Sequence, residues 1–122
     1  MTETGRELSR RSFDFALRIV KLSQFLSSEQ NEFVLSKQIL RSGTSIGANL
    51  RESTFAQSTA DFVSKLSIAL KEASETQYWL ELLNAAGYVT KEQFASLKDD
   101  VDWLVGTLVN VVRSNKRKMG QR

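Results

Sequence analysis

The sequence contains no cysteine, no histidine and no proline among its 122 residues. Without cysteine there is no disulfide and no thiolate nucleophile, and the expected setting is a reducing cytoplasm. Without histidine there is no imidazole base and no zinc site of the usual nitrogen–sulfur type. Di-metal carboxylate bundles draw on Glu-x-x-His pairs, so metal catalysis is not expected either. No catalytic residue, metal ligand or cofactor is assigned, and carboxylate or lysine chemistry is the one route left open. No apolar run approaches the ~20 residues that span a bilayer, and the first residues, Met1-Thr-Glu-Thr-Gly-Arg, carry no signal-peptide core. No membrane association is therefore expected. The lack of proline leaves long helices free to run without interruption.

What is present has the balance of a globular chain, with 41% hydrophobic and 25% charged residues, and a length suited to one domain spanning 1–122. The net charge of +3 is unevenly placed. Five basic residues and no acidic ones fall in 113–122, which leaves 12 basic against 14 acidic residues over 1–112. Those five are Arg113, Lys116, Arg117, Lys118 and Arg122; Arg10 and Arg11, with Arg6, form a smaller group near the start. A basic terminus is an electrostatic footprint for nucleic acid or an anionic surface, and equally a solvated end that keeps a protein dispersed.

Apolar spacing predicts an all-α, antiparallel up-down-up-down four-helix bundle. The first helix is expected over about 12–26, where Phe15, Ile19, Leu22 and Leu26 share one face. Asn31 is the expected N-cap of a second helix over about 32–55, carried by Leu35, Ile39, Ile46 and Leu50. Gly43 and Gly47 interrupt that helix at a cost of about 1 kcal/mol each relative to alanine. Either another helix approaches closely there, or the chain kinks near Gly43. The third helix is expected over about 59–86, opened by Ser58 and Asp61, with Phe62, Leu66, Ala69, Ala73, Thr76, Leu80 and Leu83 in heptad steps and Gly87 ending it. The fourth, over about 90–114, begins with the capping box Thr90-Lys-Glu-Gln93 and the staple Val89/Phe94. Phe94, Leu97, Val101, Leu104, Leu108 and Val111 form its stripe, and residues 115–122 are expected to fray as a basic tail. The short links between helices make sequential neighbours antiparallel.

One segment exceeds what a generic bundle needs. Ser42, Ser45, Asn49 and Glu52 fall on one line of the second helix beside its apolar line, and Glu75 sits beside the heptad of the third. A half-buried carboxylate requires a partner, and Arg41 suits either Glu52 or Glu75. The patch reads as an interhelical network that fixes register, as a self-association surface, or as a pocket built on Glu52 and Glu75. Trp79 and Trp103 lie at the edges of their stripes, as rings that cover a core or anchor a subunit interface do.

The run Arg41-Ser42-x-x-Ser45-Ile46-x-x-Asn49-Leu50-x-Glu52 resembles the signature of the small four-helix-bundle proteins encoded within 23S rRNA intervening sequences. The stretch Phe62…Leu66-x-Ile68-Ala69…Ser74-Glu75…Leu80 resembles a second block of that family, and the likeness extends from about Phe13 to Val112. The resemblance implies a bacterial, cytosolic bundle of unestablished role that forms a ring-shaped homopentamer. The accessory variability determinant of diversity-generating retroelements is similar in fold, and is a basic, pentameric partner of RNA and a reverse transcriptase.

Together these readings lead to one expectation: a non-enzymatic homo-oligomer that binds RNA or another nucleic acid through Arg113, Lys116, Arg117, Lys118 and Arg122, with Arg10 and Arg11 secondary. The alternatives are a protein-interaction scaffold whose basic end serves solubility, and an enzyme using Glu52 or Glu75.

Overall fold

Thr2 starts the first helix well ahead of Ser12. In the computed structural model, which describes residues 2–120, the Thr2 hydroxyl accepts the Gly5 N–H at 2.9 Å, and α1 runs Glu3–Glu29. The early start follows from two residues that periodicity alone passes over. Leu8 and Ser12 are buried and continue the stripe Phe15, Ile19, Leu22, Leu26 backwards, three residues to Ser12 and four more to Leu8. Ser12 looks like solvent-facing polarity in the sequence, yet it is 1% exposed because α2 presses against it.

Asn31 ends α1 instead of capping α2. Its φ of +53° is a left-handed conformation that asparagine tolerates, and the Glu32 N–H then turns back to the Leu26 carbonyl at 2.9 Å. The capping of α2 (Leu35–Ser53) falls to Glu32, whose carboxylate accepts the N–H groups of Ser36 at 2.8 Å and Val34 at 3.3 Å. α2 continues through Gly43 as one helix, so close approach rather than a kink accounts for its glycines. A Cβ built on Gly43 would stand 2.8 Å from Ile19 Cγ2, and one on Gly47 would stand 3.3 Å from Ser12 Oγ.

Ser58 and Asp61 open α3 (Thr59–Ala85) with one arm of a capping box, the shorter aspartate reaching the N–H ahead of the N-cap in place of the N-cap's own. Ser58 Oγ accepts the Asp61 N–H at 3.0 Å, and the Asp61 carboxylate accepts the Gln57 N–H at 3.2 Å. Gly87, at φ +82°, occupies the left-handed position past the end of α3. At Thr90 both arms of the box form, with Gln93 N–H to Thr90 Oγ1 at 3.1 Å and Thr90 N–H to Gln93 Oε1 at 2.9 Å.

α4 extends over Lys91–Gly120, beyond residue 114, so the described part of the basic segment is helical rather than frayed. Met119 packs against the core and anchors that last stretch. Basic side chains there also suit the negative end of the helix dipole. Arg122 lies outside the described residues.

The helices form an all-α antiparallel four-helix bundle. α1 packs on α2, α2 on α3 and α3 on α4, while α1 and α4 close the ring of helices along a lighter seam. The core follows the sequence stripes except at their ends. Val63 rather than Phe62 is buried at the start of α3, and Val112 rather than Val111 near the end of α4, with Phe62 and Val111 half-buried. A helix of 3.6 residues per turn drifts against a 3.5-residue repeat, so a strict heptad loses its register toward the ends. Among the described residues no helix is long and apolar enough to cross a membrane.

Candidate functional site

The polar patch of α2 divides among three different tasks. Ser42, fully buried, meets the equally buried Thr76 of α3, whose hydroxyl donates to Ser42 Oγ at 2.8 Å. Ser45 turns back on its own helix and donates to the Arg41 carbonyl at 2.6 Å; Asn49 donates to the Ser45 carbonyl at 2.8 Å. Glu52 faces solvent and accepts from Lys65 Nζ at 3.1 Å. Arg41 bridges to α3, where it bonds to Glu75 and, at 2.9 Å, to Glu72. The Glu75 and Glu72 carboxylates hold the Arg41 guanidinium proton above its ordinary affinity.

Two sequence readings are thereby decided in geometry. Arg41 pairs with Glu75 and not with Glu52, and Glu72 completes the fork, although nothing in its sequence neighbourhood marks it. Glu52 and Glu75 are not neighbours. Their cationic partners lie on opposite halves of the α2–α3 seam, and Glu52 is about 16 Å along α2 from Arg41. Among the described residues no cluster of acidic side chains could hold a metal ion. The patch ties α2 to α3 at fixed register, through a buried hydroxyl pair and an exposed ionic fork.

The α3–α4 seam carries a second polar link. Asp102 accepts from Gln77 Nε2 at 2.9 Å and bonds to Lys98 one turn earlier on α4. Burial pushes the Asp102 carboxyl up, but its bonds to Lys98 and Gln77 outweigh burial and hold it below the ordinary value of 3.8. A carboxyl lowered in the folded state contributes its stabilisation in full above 3.8 and loses it as pH falls through the lower folded value. Asp102→Asn is accordingly expected to flatten the loss of stability below that pH, read as urea midpoints across an acid series. An unchanged acid limb would assign the seam's stability to packing alone.

The α1–α4 seam relies on side chains at its surface. Arg18 reaches Asp100 at 2.5 Å and Ser96 Oγ at 2.8 Å, and Arg11 lies over the Trp103 ring, 4.0 Å from its centre. Arg11 also pairs with Glu7 at 3.1 Å, and Arg10 approaches Asp14 at 3.8 Å. Both of these α1 arginines are therefore already engaged within the chain. Trp79 packs against the core and meets Tyr78 edge to face at 5.2 Å, but its buried Nε1 finds no acceptor among the described residues.

The cations of α4 are placed differently. Arg113, Lys116, Arg117 and Lys118 are all exposed, and none forms an ion pair among the described residues. Helical spacing sets Arg113 and Arg117 on the face away from the core, Lys116 in line with Val112 and Met119 where the core runs out, and Lys118 in line with Val111 and Asn115. Beside that line opens a cleft of about 600 Å3 at the end of the bundle where α1 begins and α2 passes into α3. Leu8, Leu50, Phe62 and Leu66 form its apolar part, and Ser9, Gln57 and Asn115 are among its polar groups. Sequence reading identifies the cations but not this cleft, whose residues come from all four helices and the α2–α3 loop.

Comparison with known proteins agrees with this architecture. A crystal structure of a protein of unknown function from the S23 ribosomal protein family of Bacteroides thetaiotaomicron superposes with a TM-score of 0.88 at 54% identity, over 90% of this chain and 98% of that one. No curated protein matches. Residues 6–110 match the profile of the 23S rRNA-intervening sequence proteins, a span that takes in the Arg41–Glu52 patch and reaches all four helices. The chain is a member of the 23S rRNA-intervening sequence protein family.

Proposed function

We propose that this protein is a non-enzymatic homo-oligomer that binds RNA or another nucleic acid through the basic end of α4. The observation that carries the reading is the set of exposed cations Arg113, Lys116, Arg117 and Lys118 around the last turns of α4, held on a helix and free of carboxylate partners among the described residues. Cations already neutralised within a protein contribute little to phosphate binding, whereas ordered and unpaired ones release counterions when they bind. Arg10 and Arg11 rank below them, since each has a partner on its own helix.

Self-association is supported by two outward apolar faces. Phe13 and Leu17, 59% and 49% exposed, lie opposite the buried stripe of α1; Ile68, Tyr78 and Leu82 lie on the outer side of α3. α1 and α3 stand diagonally across the bundle, so these faces open in opposite directions. Face-to-face contact between copies through such surfaces is head-to-tail, and head-to-tail contacts close into rings when the rotation permits. A pentameric ring, as the family resemblance implies, would gather five basic ends and sum weak contacts into avidity.

Replacing Arg113, Lys116, Arg117 and Lys118 by serine is expected to weaken binding of a structured RNA. The slope of log affinity against log salt should fall by roughly 0.7–0.9 for each phosphate that is no longer neutralised. Fluorescence anisotropy at several salt concentrations reads both quantities. Binding unchanged in the variant would remove α4 from the interface, and no binding by the wild type at low salt would transfer the function to a protein-interaction scaffold. Light scattering tests assembly: wild type is expected as an oligomer, and Phe13→Asp with Leu17→Lys as a 13.8 kDa monomer. A wild type already monomeric would sink the ring.

A further inference from the structure

We infer that the cleft at the α4 end receives an unpaired base of single-stranded nucleic acid, whose phosphates then follow the cations of α4. This rests on the reading of α4 proposed above and adds to it a site for the base. The cleft's volume of about 600 Å3 falls within the ordinary range for small-molecule pockets and is ample for one nucleoside.

The chemistry of the lining selects the occupant. No charged side chain lines the cleft, although exposed cations stand next to it. An anionic small molecule would meet no cationic side chain inside; the first turns of α1 and α3 border the cleft, but each is already capped by a hydroxyl and carries its own carboxylate, Glu3 and Asp61. A nucleobase is neutral and has two kinds of surface: flat apolar faces and edges of hydrogen-bond donors and acceptors. Phe62 and Leu66 offer contact for the faces. The Gln57 amide carries donors and an acceptor for the edges; Asn115, one N–H of which is held by the Val111 carbonyl at 2.8 Å, keeps its oxygen and second N–H, and Ser9 adds a hydroxyl. Charge complementarity then divides the nucleotide correctly, with the base in the uncharged cleft and the phosphate outside.

Lys118 links the two parts. Val111 and Asn115 line the cleft, and Lys118 continues their line by one further turn of α4, just beyond the cleft's edge. A phosphate attached to a seated base would lie within reach of that ammonium and of the outer cations beyond it. Paired bases cannot enter, because in a duplex their faces are stacked and their edges are occupied.

The test compares fluorescein-labelled octauridylate with a blunt RNA duplex, by anisotropy at low salt, on the full chain. Ser9→Trp fills the cleft from the exposed side of α1, and Phe62→Leu with Asn115→Leu keeps its bulk while removing the ring and the amide. Both are expected to weaken octauridylate about tenfold or more while leaving the duplex within about twofold, as loss of one stacked base would. Far-UV circular dichroism and thermal melting identify any variant that fails to fold, and the two variants touch different helices. Octauridylate binding retained by both folded variants would overturn the inference while leaving the α4 reading intact. Octauridylate and duplex both unbound by wild type, or both unaffected by the four serine substitutions, would overturn the α4 reading and this inference together.

Discussion

Gly43→Ala is expected to destabilise the bundle by about 1–3 kcal/mol, even though alanine is the better helix former by about 1 kcal/mol. The reason is local and steric. A Cβ at Gly43 would come within 2.9 Å of both Cγ atoms of Ile19, and 3.2 Å of its Cβ. Ile19 is fully buried and β-branched, so its side chain has no free rotamer into which it can retreat. α1 and α2 would have to separate, and the packing along their whole seam would loosen with them. Gly43→Leu should go further and leave too little stability for a cooperative transition. Gly106 supplies the control, since it is exposed in α4 with nothing within 4 Å of its built Cβ; Gly106→Ala should gain up to about 1 kcal/mol. Urea midpoints of the two alanine variants should move in opposite directions. If Gly43→Ala moved with Gly106→Ala, close helix approach would not be the reason for that glycine. Pairing Gly43→Ala with Ile19→Ala should give a double variant less unstable than the sum of its parts, because the clash disappears.

Thr76→Val should cost about 1–3 kcal/mol, and adding Ser42→Ala should cost little more or restore part of that stability. Thr76 alone reaches both Ser42 Oγ and its own Glu72 carbonyl at 2.8 Å, while Ser42 otherwise has only the Ile39 carbonyl at 3.5 Å. Removing Thr76's hydroxyl therefore strands a buried polar group, and removing both hydroxyls leaves none to strand. The double variant is also the test of register. If the pair specifies how α2 seats against α3, the double variant should stay folded but lose amide dispersion in its heteronuclear NMR spectrum. Full additivity of the two single changes would show that the hydroxyls do not act as a pair.

The helices are legible in the sequence because their signals are local. Thr90 and Gln93 satisfy each other within one turn, and Gly87 takes a conformation that few other residues accept. Leu66 to Leu83 repeat in a pattern that only a helix makes continuous. Boundaries escape where a residue has two possible tasks. Asn31 can cap the next helix or terminate the previous one, and only the left-handed turn distinguishes them. Ser12 counts as polar in any pattern, yet the glycine facing it makes a small hydroxyl the right filling for the core. The end of α4 departs from the expected frayed tail because charge signals exposure but not disorder, and Met119, isolated among polar neighbours, holds that turn down. Within the α2 patch the residue types are legible and their partners are not. Arg41 chooses Glu72 and Glu75 because antiparallel registry brings them level, and registry is a property of the packed pair rather than of either helix. The cleft is out of reach for the same reason, being assembled from Leu8, Leu50, Phe62 and Val111, which lie far apart along the chain.

Thr2 and Asn115 line the same cleft, so the start of α1 and the later turns of α4 lie side by side. A tag joined ahead of α1 would therefore begin at the cleft, and one joined after α4 would follow its cations, where either could mimic or block a ligand. The opposite end of the bundle, at the turns around Gln30 and Gly87, is the place for such labels. The same proximity suits the bundle to circular permutation: a flexible linker could join the end of α4 to the start of α1, with new ends opened at Gln30 or Gly87, leaving the four-helix packing intact.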